Sequence, residues 1–262
     1  MEIFTAATPA DDNTTNEDWF FAAPELLIVL DGATARTDTG CSHGTAWYTR
    51  QLGAALTGAD LDTAIRQVAE RHPECDLSHP ATPAAAVAVL RLDGHALEYL
   101  VLGDVTVLLD GVDGLAVVVD DRVAATAVPE RRDADRFAIG SPGKQSALVR
   151  MKHAELAVRN TTGGYWVAAA DPDVARHART GRVALARLRR VAVLTDGAAR
   201  LVEPFGLVDW TGLLDLLGSA GPGEAIQRLR AAEATDPEGR RWPRNKHSDD
   251  ATIVFASLSS LR

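Results

Sequence analysis

Short apolar runs rich in branched side chains recur along the chain: LLIVL at 26–30, AVAVLRL at 86–92, LEYLVL at 97–102, VTVLL at 105–109, LAVVV at 115–119, GYWVAAA at 164–170, VAVLT at 191–195 and TIVFA at 252–256. Runs of this length and composition read as β-strands, and eight of them require large sheets. Residues 93–111, DGHALEYLVLGDVTVLLDG, read as consecutive hairpins, so neighbouring strands pair antiparallel. Helical patterns are grouped elsewhere: TAWYTRQLGAAL from 45, DLDTAIRQVAERH from 60, DWTGLLDLLGSA from 209 and GPGEAIQRLRAAEA from 221, the last with Pro222 where a first helical turn tolerates it. Hairpins in one place and helices in another predict an α+β fold rather than a doubly wound one.

Two polar stretches interrupt this pattern. Residues 128–145, VPERRDADRFAIGSPGKQ, read as a long surface loop, and residues 235–250 carry two prolines and no helical period. Strand-like segments recur on both sides of each, and no repeat is present, so residues 1–262 are expected to form a single domain. The arginine-rich segment 176–190 reads as a solvated helix face, with a phosphate or an acidic partner as the other use for such charge.

Composition narrows the classes of partner. Of the 262 residues, 46% are apolar, enough for a substantial core, while 36 acidic residues against 27 basic ones leave a net charge of −9. That balance argues against a nucleic-acid backbone or an anionic membrane as partner and favours cations. The first residues lack a basic-then-apolar leader, and no apolar run approaches the ~20 residues of a membrane span, so a soluble, cytoplasmic protein is expected. Oligomeric state is left open. Cys41 and Cys75 cannot make a disulfide framework and do not form a closely spaced metal-type pair, and are expected to be reduced and mostly buried.

The aspartates carry the chemistry. LLIVL is followed by Asp31-Gly32, EYLVL by Gly103-Asp104, VAVLT by Asp196-Gly197, and ATIVFA is preceded by Asp249-Asp250. In an antiparallel sheet the end of one strand lies beside the start of its neighbour, so these sites can share one edge. Gathered there, the carboxylates raise each other's pKa unless cations neutralise them, and hard divalent ions with oxygen ligands are the natural counter-charge. Asp-Gly is also a good hairpin turn, a reading that fits Gly103-Asp104 best, because a strand follows at once, and fits Asp31-Gly32 and Asp196-Gly197 less well.

In order, Asn16-Glu17-Asp18, Leu30-Asp31-Gly32, Leu102-Gly103-Asp104, Leu194-Thr195-Asp196-Gly197 and Asp249-Asp250-Ala251-Thr252 resemble the successive motifs of the metal-dependent type 2C (PPM) serine/threonine phosphatases, bacterial branch. The resemblance spans residues 16–256. It implies a four-layer α/β/β/α sandwich, two central antiparallel sheets flanked by helices, with a metal cleft at one edge. It also implies two or more Mn²⁺ or Mg²⁺ ions. Asp31 would bridge them with the Gly32 carbonyl as a further ligand, Asp196 and Asp249 would bind one ion, Glu17 and Asp18 would hold metal-bound waters, and Asp104 would serve a third, weaker ion. Asp31 and Asp196 would thereby be the catalytic carboxylates. The implied activity is hydrolysis of phosphoserine and phosphothreonine in a phosphorylated protein substrate by a water bridging two ions, without a phosphoenzyme.

The chain departs from that pattern in three places. Asn13 stands where the family has its phosphate-binding arginine, Ala33 replaces a histidine after the Asp-Gly, and ATART at 33–37 replaces the usual glycines. His43 and His247 lie close enough in sequence to supply a proton, although solvated loop histidines are the simpler reading of both. Two other functions are weighed: a catalytically weak relative that binds a metal or partner through the cleft, and a hydrolase with an amino-terminal nucleophile, for which Thr5 is the earliest candidate.

Overall fold

The computed structural model describes residues 1–258 of the chain. Among the described residues, ten strands form two antiparallel five-stranded sheets. The strands are β1 (Glu2–Thr8), β2 (Trp19–Ala23), β3 (Leu26–Gly32), β4 (Ala85–Asp93), β5 (Ala96–Leu102), β6 (Thr106–Gly111), β7 (Gly114–Val118), β8 (Arg179–Ala184), β9 (Leu188–Leu194) and β10 (Ala251–Ser257). One sheet runs β1-β10-β9-β6-β7 and the other β2-β3-β4-β5-β8.

The period-two alternation of a strand explains why the central runs are apolar throughout. Along β3, Leu27 and Val29 point to the other sheet and join Ala88, Leu90, Val107, Val193 and Val254 in the core between the sheets. Leu26, Ile28 and Leu30 point outward and pack with Leu52, Leu56, Ile65 and Val68 of α1 (Thr45–Leu56) and α2 (Leu61–Ala69). The other sheet does the same: Leu108, Leu194, Ile253 and Phe255 pack against α5 (Asp196–Ala199) and α6 (Trp210–Thr235). The α+β fold and its four layers are therefore as expected. The boundary between two helices at 220/221 is also present, because Gly221 leaves the helical region with φ 84° inside α6.

Four expectations are corrected. Residues 128–145 are not a loop: they contain α3 (Val128–Ala134) and the start of α4 (Pro142–Val158). Ser141 caps α4 by accepting from Lys144 N–H at 3.1 Å, and Pro142 follows at the first helical position, so the start signals were present. The buried face of the pair is small, made by Ala134, Ala147, Leu148 and Met151, and the remaining faces are laced by ion pairs such as Arg131–Glu155 at 3.0 Å. Residues 164–170 belong to neither sheet among the described residues; the isolated bridge Ala85↔Ala168 joins them to β4, while Tyr165, Val167 and Ala169 bury against Ala84. Segment 176–190 is no helix face but the end of one 3-10 turn, β8, a second 3-10 turn at Leu185–Arg187 and the start of β9. Cys41 and Cys75 are partly exposed, and their sulfurs stand 3.5 Å apart. The strands β1, β2 and β8, absent from the sequence reading, all lie at sheet edges, where one side faces solvent and no continuous apolar run is required.

Candidate active site

Antiparallel register delivers the acidic motifs to one end of the two sheets. Asp31 pairs with Ala86 near the start of β4, and Val87 pairs with Leu102 near the end of β5, so Asp31 and Gly103-Asp104 flank the first residues of β4. Gly103 turns the chain there with φ 83°, and a Cβ on it would sit 2.6 Å from that of Ala86. In the opposite sheet, Leu194 pairs with Ile253, which sets Asp196 just past the end of β9 beside Asp249-Asp250 just before β10. Gly197 makes this closeness possible: a Cβ there would lie 1.9 Å from the carbonyl oxygen of Asp250.

The result is a cavity of about 180 Å³ lined by Asp31, Gly32, Asp104, Asp196 and Asp249. One oxygen of Asp31, Oδ2, accepts the backbone N–H of Asp196 at 2.9 Å. Asp18 lies behind, its Oδ2 accepting from the hydroxyls of Thr195 at 3.0 Å and Thr252 at 2.8 Å. Glu17 sits at the rim, where its Oε2 accepts from Thr34 Oγ1 at 2.6 Å. Asp250 faces away: its carboxylate accepts from the N–H groups of Ala10 (2.8 Å) and Glu17 (2.6 Å), and so ties the 10–17 loop to β10.

Loss of water and mutual repulsion dominate the electrostatics. Burial, then Asp196, Asp18, Asp104 and Asp249, push Asp31 well above the ordinary carboxylate range. Burial and Asp196 push Asp104 up to about 7. Burial also raises Asp18, against the two threonine hydroxyls that favour its charged form, and raises Glu17. Asp196 opens onto the cleft, yet the protein around it and the neighbouring Asp249 shift it upward too.

Cations ring the same cleft. Asp249 is held by Lys246 Nζ at 2.5 Å on one oxygen and by Arg200 Nη2 at 2.7 Å on the other. Arg131 pairs with Glu155 at 3.0 Å, and Arg159 donates to the Thr82 carbonyl at 2.8 Å. Arg36 lines the cavity without a hydrogen bond or ion pair among the described residues, and burial lowers its pKa. None of these cations was assigned from sequence. Arg36 lies within the ATART segment, and its only sequence signal was an arginine five residues after Asp31.

Among the described residues no histidine lines the cavity. His43 turns its Nδ1 to the sulfurs of Cys41 and Cys75, and exposed His247 meets Ser248 Oγ at 3.0 Å. Asn13 is exposed on its own loop. The carboxylates of Asp31, Asp104 and Asp196 are hard oxygen donors lining one cavity, raised by burial and then by repulsion, and without an ion pair among the described residues. This donor set fits a hard divalent cation.

No family model matches the chain, and no curated protein matches it. Solved structures do. The serine/threonine phosphatase PstP/Ppp of Mycobacterium tuberculosis is 17% identical, with a TM-score of 0.57 and 98% of each chain covered. The catalytic domain of PstP in complex with two manganese ions is 16% identical, with a TM-score of 0.55 over 98% of this chain and 97% of that one. The PPM Ser-Thr phosphatase MsPP from Mycobacterium smegmatis, in complex with cacodylate, is 18% identical, with a TM-score of 0.55 and 99% of each chain covered. The chain has the fold of the bacterial PPM serine/threonine phosphatases.

Proposed function

We propose that this chain is a divalent-metal-dependent phosphatase that hydrolyses phosphoserine and phosphothreonine in proteins. The observation that carries the reading is the convergence of Asp31, Asp104, Asp196 and Asp249 on one cavity that also holds the unengaged guanidinium of Arg36. The fold and the manganese ions of the PstP complex support it. Asp31, the Gly32 carbonyl, Asp196 and Asp249 would hold Mn²⁺ or Mg²⁺, with Glu17, Asp18 and Asp104 around them. When bound, such ions supply Lewis acidity, shielding the phosphoryl oxygens and making water a competent nucleophile at neutral pH.

The chain's own residues set the geometry. The Asp196 N–H fixes the rotation of the Asp31 carboxylate, and Thr195 and Thr252 fix Asp18 from behind. Arg200 and Lys246 orient Asp249. Arg36 would take the phosphate oxygens, the role left open by Asn13, since its planar fork pairs with phosphate and has no competing partner. The proton for the departing seryl or threonyl oxygen would come from solvent.

Hydrolysis of p-nitrophenyl phosphate and a phosphothreonine peptide in Mn²⁺ tests the reading. Turnover by the wild type and its loss in folded Asp196→Asn support it; an inactive, folded, metal-loaded wild type overturns it. A second reading is a metal- or partner-binding module of weak activity. The engagement of both Asp249 oxygens by Lys246 and Arg200 favours it. Calorimetric metal binding without turnover would decide for it.

A further inference from the structure

Away from the carboxylate cleft, two loops bring four metal-binding side chains together. Cys41 and His43 lie in the segment between β3 and α1, and His72 and Cys75 follow α2. One ligand atom from each lies within 4.8 Å of all the others. The Cys41 and Cys75 sulfurs are 3.5 Å apart, and His43 Nδ1 is 3.7 Å from the first and 3.4 Å from the second. A tetrahedral zinc ion with bonds of about 2.3 Å to sulfur and 2.0–2.1 Å to nitrogen requires edges of roughly 3.8 Å between sulfurs and 3.6 Å between sulfur and nitrogen. These three edges lie within about 0.3 Å of those values, and the His72 ligand nitrogen lies within 4.8 Å of the other three atoms.

His72 supplies an independent observation. It is 4% exposed, and its Nε2 is buried with no hydrogen-bond partner among the described residues, a costly arrangement for a polar atom. Its Nδ1 meets the Val68 carbonyl at 3.1 Å. That bond places the proton on Nδ1 and leaves the Nε2 lone pair free, the pattern of a ligating histidine oriented through its other nitrogen. Trp47 packs against both rings, stacked on His43 at 4.4 Å and edge-on to His72 at 4.3 Å, so the imidazoles are held before any ion arrives.

We propose that Cys41, His43, His72 and Cys75 form a tetrahedral site for a thiophilic divalent cation, zinc foremost. Two thiolates and two neutral imidazoles close the coordination sphere, as in structural rather than catalytic zinc sites. Binding releases the two thiol protons to solvent. The ion clamps the 33–44 segment, which leaves the cavity at Gly32 and carries Thr34 and Arg36, onto the end of α2. The Asp76 N–H to Gly40 carbonyl bond at 2.9 Å already marks this junction. The inference stands independently of the phosphatase reading.

Cobalt substitution in the reduced full-length chain tests it. The chain has two cysteines, so a thiolate-to-cobalt charge-transfer band can come only from this site and never from the carboxylate cleft. The expected result is that band with tetrahedral ligand-field absorption at one equivalent, bleached by one equivalent of zinc, lost in Cys75→Ser and retained in Asp196→Asn. Zinc should also protect both cysteines of the wild type from alkylation, measured by mass spectrometry, a readout that needs no variant to fold. Absence of the band in reduced, folded wild type overturns the proposal, and so does alkylation unchanged by zinc.

Discussion

The backbone N–H of Asp196 donates to Oδ2 of Asp31 at 2.9 Å, joining the end of β9 in one sheet to the end of β3 in the other. Both residues line the cavity, and the bond fixes one oxygen of the Asp31 carboxylate. Asn in place of Asp31 can still accept this bond. It also removes a carboxyl whose ionisation is opposed by burial and by the charges of Asp196, Asp18, Asp104 and Asp249. Asp31→Asn is therefore expected to abolish Mn²⁺-dependent phosphoester hydrolysis, by at least ~100-fold, and to stabilise the metal-free chain by about 1 kcal/mol. Steady-state assays and denaturant melts in chelator check the two limbs; loss of both activity and stability would make Asp31 a purely structural residue.

Arg36 separates binding from folding. It lines the cavity without a hydrogen-bond or ion-pair partner among the described residues, so its truncation removes no ion pair seen there. Arg36→Ala should leave the melting temperature within a degree or two and lower kcat/KM for a phosphopeptide by roughly 10- to 100-fold, the scale of one charged hydrogen-bonding pair. Arg36→Lys should recover only part of this, since a point charge lacks the fork. An unchanged kcat/KM in Arg36→Ala would move the phosphate contact to another cation of the cleft.

Gly197 tests the local packing that places Asp196. A Cβ at this position would meet the Asp250 carbonyl oxygen at 1.9 Å, and backbone cannot yield as a flexible side chain can. Gly197→Ala should cost about 3 kcal/mol or more and displace Asp196 from the cleft. A denaturation midpoint equal to that of wild type would show that α5 and the segment before β10 relax freely.

How much of this was legible beforehand depended on where a residue's signal resides. Central strands such as β3 bury both faces, and their continuous apolar runs were plain; β1, β2 and β8 bury one face at an edge and left no such mark. The four carboxylates were legible because each stands at the end of a readable strand and antiparallel pairing brings such ends together. Arg36, Lys246 and Arg200 were not, because their use comes from the paths of irregular segments and a short helix. The same holds for the Cys41/Cys75 cluster, whose halves are separated by two helices, so the pair looked unrelated in sequence and is adjacent in space.

Two groups of carboxylates give the metal-free chain opposite pH responses. Asp104, pushed up to about 7 by burial and Asp196, is protonated in the folded state while the unfolded chain keeps it ionised down to about 4. The native state therefore binds more protons across that interval, and stability rises as pH falls from 7 towards 4. Asp236 does the reverse. Burial opposes its charge, but N–H donation from Trp242, Arg241 and Arg240, together with Arg244 at 3.0 Å, outweighs burial and takes it down to about 2. Its stabilisation is complete above about 4 and disappears as pH falls from 4 to 2. Urea denaturation in chelator should thus show maximum stability in the mildly acidic range. Saturating Mn²⁺ should flatten or invert the limb between pH 5 and 7, because cations compensate the carboxylates that protons otherwise neutralise, whereas the limb below 4 should be unmoved by Mn²⁺ and reduced in Asp236→Asn. A chelated chain whose stability climbs steadily from pH 5 to 8 would refute the upward shift that burial and the neighbouring charge impose on Asp104.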